Sequence, residues 1–114
     1  METEKYIDGY RTYARANFVL DNAGESGRSG YRFFEGKTYT IEKLDSTITI
    51  FRHDLPDPIF VATYRQDELS NLSVSSVNYY REFQNKLSNL VTLLKERIQQ
   101  RQQKQQVRRR GMSL

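Results

Sequence analysis

The sequence predicts an α+β fold. It begins with an N-terminal helix, continues into a three- or four-stranded antiparallel meander, and ends in a long C-terminal amphipathic helix with a basic Gln/Arg-rich tail. Three observations predict this. Apolar residues recur at three- and four-residue steps over positions 4–20 and again over 77–98, the period of a helix face. Between those stretches, over 31–64, the period falls to two, the pattern of strands. A chain of 114 residues can build one hydrophobic core, so residues 1–98 are read as a single domain. Residues 99–114 are read as a helical extension or disordered tail.

The first helix carries Tyr6, Ile7, Tyr10, Tyr13, Ala14, Asn17 and Phe18 on its predicted apolar face. Thr3 is its candidate N-cap, with Glu4 in the first turn, where the helix dipole favours an acid. Gly9 weakens it by up to ~1 kcal/mol relative to Ala. Asp21-Asn22-Ala23-Gly24 is its stop. Positions 24–30, GESGRSG, read as a flexible loop and match neither phosphate-binding glycine pattern.

Strands follow at Tyr31–Phe34, Lys37–Leu44, Thr47–His53 and Ile59–Tyr64. Asp45-Ser46 has the length of a hairpin connection, and Asp54-Leu55-Pro56-Asp57-Pro58 interrupts the pattern because its two prolines lack backbone donors. Short connections between consecutive strands describe an antiparallel meander rather than parallel βαβ units.

Ser73 is the predicted N-cap of the second helix, with Leu72 and Val77 placed as a hydrophobic staple. Its stripe is Val77, Tyr80, Phe83, Leu87, Leu90, Val91, Leu94 and Ile98. Beyond it runs QQRQQKQQVRRR, rich in helix formers, which predicts helix to about residue 106 and a stop near Gly111. A stripe of ~30 Å outruns a sheet only ~15–20 Å wide. The far end of the helix is therefore expected to overhang its domain, leaving Leu90, Leu94 and Ile98 to find another partner.

Charge is segregated along the chain. Residues 1–94 hold 11 Lys and Arg against 13 Asp and Glu, whereas residues 95–110 hold seven basic residues and one acid. Arg97, Arg101, Lys104 and Arg108 fall at spacings of four, three and four, one stripe if the helix persists, and Arg109 and Arg110 follow. Such a stripe suits phosphate, because each cation that approaches nucleic acid releases condensed counterions, and arginine contacts phosphate through two donors at once. The first reading is thus a small non-enzymatic module that contacts nucleic acid through phosphates, using Arg97, Arg101, Lys104, Arg108, Arg109 and Arg110. The alternative is a protein-interaction or homo-oligomerisation module that docks through Leu87, Leu90, Leu94 and Ile98, its basic end merely solvated.

Other chemistries find little material. The chain has no Cys and one His, which removes thiolate metal sites, disulfides and Cys nucleophiles and makes a His-based metal site hard to build. No metal or cofactor is expected. His53 beside Asp54 could act as a general base, although no nucleophile is placed by the sequence. Tyr31, Phe33, Phe34 and Tyr39, with Arg32 and Lys37 among them, could stack unpaired bases on an open sheet. Their alternation favours core packing instead. No apolar run approaches membrane-spanning length, and METEKYIDGY has no signal-peptide pattern, so a cytoplasmic location is expected. Asn71-Leu72-Ser73 matches a glycosylation sequon and is discounted on the same ground.

Overall fold

The computed structural model describes the backbone of residues 2–112 and the side chains of residues 9–102. Helix α1 (Glu2–Ala23) leads into strands β1 (Glu25–Ser26), β2 (Arg32–Glu35), β3 (Tyr39–Leu44), β4 (Thr47–Arg52), β5 (Phe60–Arg65) and β6 (Glu68–Val74), and helix α2 (Val77–Met112) follows. The strands form one antiparallel sheet in chain order, so the α+β meander stands with six strands rather than three or four.

Register makes the two faces of the sheet unlike. Phe34, Ile41, Ile50, Phe60 and Val74 lie opposite one another across five strands and point toward the helices. The neighbouring row, Phe33, Glu42, Thr49, Val61 and Ser73, points the other way. Ile41, Ile48, Ile50, Phe60 and Ala62 are buried, as are Tyr80, Phe83, Leu87, Val91 and Leu94 of α2, in one continuous core. Phe60 stacks on Tyr80 with ring centroids 5.6 Å apart. The opposite face carries threonines, including half-buried Thr47, whose hydroxyl pairs with that of buried Thr63 at 2.8 Å.

Helix α1 presents a different face from the predicted one. Gly9, Thr12, Tyr13, Ala16, Val19 and Leu20 are buried, whereas Tyr10 and Ala14 are exposed. Tyr13 is buried and Phe18 packs against the core, but the buried stripe also takes in the small residues Gly9, Thr12 and Ala16. A Cβ on Gly9 would lie 3.0 Å from both Leu72 methyls, so glycine sets how closely α1 approaches β6. The side chains of Thr3, Tyr6 and Ile7 lie outside the described residues.

The two strands that the period-two pattern does not show are β1 and β6. Part of the glycine-rich loop is held, with Glu25 and Ser26 paired to Phe33 and Arg32. Ser73 does not cap α2 but sits in β6 opposite Val61. The N-cap is Ser76, whose Oγ accepts the Tyr79 backbone N–H at 3.4 Å. Val77 is half exposed, so no staple with Leu72 forms.

Candidate partner-binding face of the second helix

Helix α2 is tied to the body along about its first six turns. Thr12 and Tyr80 share a buried hydrogen bond of 2.9 Å, and Gln84 donates to the same threonine. Arg52 reaches across from the sheet. It donates through Nη1 to Glu82 at 2.7 Å and through Nε to Asp54 at 2.7 Å, with its guanidinium 4.7 Å from the Tyr79 ring centre. Tyr39 donates its hydroxyl to the same Glu82 carboxylate at 3.0 Å. Hydrogen bonds from Arg52 and Tyr39 hold that carboxyl below its ordinary value of 4.5.

Beyond this anchor the interface thins. Leu94 is buried and Ile98 half-buried, while Gln99, Gln100, Arg101 and Gln102 are exposed. The backbone nevertheless stays helical to Met112, so α2 has 36 residues and a length of ~54 Å. The six-stranded sheet beneath it is ~24 Å wide at ~4.8 Å per strand.

The residues singled out from sequence divide accordingly. Arg97 and Arg101 are exposed and form no ion pair among the described residues. Lys104, Arg108, Arg109 and Arg110 lie on the helical backbone, and their side chains fall outside the described residues. Leu87 and Leu94 face their own core. Leu90 is half-buried, and Leu93, which lies off the predicted stripe, is 44% exposed.

Counting back from Arg97 in the same helical steps reaches Leu93, Leu90 and Lys86. One face of α2 thus runs from Lys86 through Leu90 and Leu93 to Arg97, Arg101 and positions 104 and 108. Where it meets the β2–β3 hairpin there is a half-open cleft of about 160 Å³. Phe34, Tyr39, Ile41, Phe83, Leu87 and Leu90 line it, with Lys37 and Lys86 beside them. Tyr39 and Phe83 meet edge to face at 5.1 Å. A sequence scan for basic stripes starting at the chain end stops at Arg97, because the two leucines interrupt the charge.

The remaining candidates have structural roles. His53 contacts Thr40 Oγ1 through Nε2 at 2.8 Å and the Lys37 carbonyl through Nδ1 at 3.2 Å, so both ring nitrogens pin the β2–β3 turn. Its neighbour Asp54 turns to Arg52. The four aromatics split between faces. Tyr39 is buried and Phe34 half-buried on the helix side, whereas Tyr31 and Phe33 stack at 5.6 Å on the open face. Burial, reinforced by Glu42, pushes the Tyr31 hydroxyl up to about 12, and that acid makes the open face a poor partner for phosphate.

Among the described residues no cluster of His, Asp and Glu could hold a metal ion, and no helix is long and apolar enough to cross a membrane. No family model, curated protein or solved structure matches this chain significantly.

Proposed function

We propose that this protein is a small non-enzymatic module that binds nucleic acid through the projecting half of α2, acting in the cytoplasm. The continuous helix past Ile98 supports this reading, since positions 97, 101, 104 and 108 share one helical row that starts at the edge of the body and runs past it. Cations held in a row release counterions together and contact successive phosphates without reading bases. Arg109 and Arg110 would add to the attraction.

Four phosphate contacts predict that the logarithm of the binding constant falls with log salt at a slope of about −3 to −4 on duplex DNA. Fluorescence anisotropy with a labelled oligonucleotide measures this. Arg97→Gln with Arg101→Gln should reduce that slope by about two and weaken binding on every sequence alike. An affinity indifferent to salt overturns the proposal.

The exposure of Leu93 beside Leu90 and Ile98 supports a second reading, association with a protein or with another copy of this chain. Sedimentation separates the two. Leu93→Gln, which removes the apolar contact without adding charge to the basic face, should change the mass of an assembly under this second reading and leave nucleic-acid retention largely intact under the first.

A further inference from the structure

The cleft at the foot of the cationic row has its own chemistry. Its volume of about 160 Å³ matches the ~150 Å³ of apolar cavities that accept a single six-membered ring. Three aromatic side chains, Phe34, Tyr39 and Phe83, and two leucines form its walls, and no carboxylate lines it. Glu82, the nearby acid of α2, is engaged by Arg52 and Tyr39. The Lys37 ammonium forms no ion pair among the described residues, and the Lys86 ammonium lies 3.6 Å from Glu82. The place therefore offers a ring-sized apolar slot with cations at its mouth.

It is continuous with the proposed nucleic-acid face. Leu90 lines the cleft and stands on the same side of α2 as Arg97, seven residues or ~10 Å along the axis. A phosphodiester chain following the arginines reaches the cleft within one or two nucleotides. Bases of a duplex are paired and stacked and cannot enter such a slot, whereas an unpaired base has a free aromatic face.

We infer that the cleft between the β2–β3 hairpin and α2 seats one unpaired base of a single strand whose phosphates follow the basic row. The inference rests on the nucleic-acid reading and adds strand selectivity to it. Lys37 and Lys86 hold the phosphates flanking the seated base, while Tyr39, Phe83 and Phe34 contact its ring.

The test uses the full chain, a labelled oligothymidylate and a duplex of equal length, at fixed salt. Single strand should bind more tightly than duplex. Leu90→Phe, which fills the slot without changing charge, should weaken single-strand binding about tenfold and leave duplex binding unaltered. Lys37→Gln, on the exposed turn, should weaken single-strand binding by less. Amide NMR shifts with the wild-type chain provide a measurement independent of any variant. Oligothymidylate should perturb Gly36, Thr38, Leu87 and Leu90. Equal affinity for both strand forms, undiminished single-strand binding by Leu90→Phe, or shifts that bypass the cleft each overturn the inference while the phosphate reading stands. Failure of both oligonucleotides to bind removes that reading, and the inference with it.

Discussion

At Arg52 one side chain joins two elements. Its guanidinium is flanked by Tyr79 and Tyr39 and bonded to Glu82 and Asp54, and only 18% of the side chain is exposed. Glu82 titrates below its ordinary value because Arg52 and Tyr39 favour the charged form. A carboxyl with a depressed folded-state pKa contributes stability that is full above its ordinary value. That contribution disappears as pH falls through the lowered one. Thermal melts between about pH 6 and pH 3 should show the wild-type chain falling toward Glu82→Gln, with the gap between them closing at the acid end. A constant gap would mean that the carboxylate charge contributes nothing. Thr12 poses a different case, since its buried hydroxyl pairs with Tyr80 and accepts from Gln84. Thr12→Val keeps the shape and removes the oxygen. A loss of about 1–3 kcal/mol in chemical denaturation is expected.

Among the elements, β6 explains what the sequence could and could not reveal. Val61 pairs with Ser73 and Thr63 with Ser70, so β6 carries one extra residue at this point, and Asn71 there takes a φ of 52°. The bulge turns Leu69, Leu72 and Val74 toward α1 and the core, at a spacing of three and then two. A period-two search cannot see that strand. Strands β3 and β4 were legible because Tyr39, Ile41, Ile48 and Ile50 alternate without interruption. The β5–β6 turn is also encoded weakly. Gln66 and Asp67 both adopt positive φ, 52° and 62°, where an Asn followed by a Gly is the favoured pair. The double substitution Gln66→Asn with Asp67→Gly should raise stability by about 1 kcal/mol in urea titration. Unchanged stability would show that the left-handed conformation costs this chain little.

On the scale of the whole molecule, the overhang follows from arithmetic available in the sequence. An uninterrupted helical pattern runs for about six turns before the Gln/Arg tract, longer than the three or four strands read from the sequence can span. The six strands observed cover Leu94 after all, so the overhang begins near Ile98. The radius of gyration is 16.7 Å, against ~13 Å for a compact chain of this length, and the longest extent is 58 Å against 34 and 33 Å. The spacing of positions 97, 101, 104 and 108 was legible because residue type and order are printed in the primary structure. The cleft was not, since Phe34, Tyr39 and Leu87 come from three elements that only the closed fold brings together. This division of labour predicts how the molecule responds to losing its tip. Among the described residues, the last buried one of α2 is Leu94, and 99–102 are exposed. Removing residues 103–114 should therefore leave the thermal midpoint unchanged. It should bring the radius of gyration in X-ray scattering down toward ~13 Å, and it should lower nucleic-acid affinity. A falling midpoint would mean that the tip packs against the body, which would take its cations away from any phosphate.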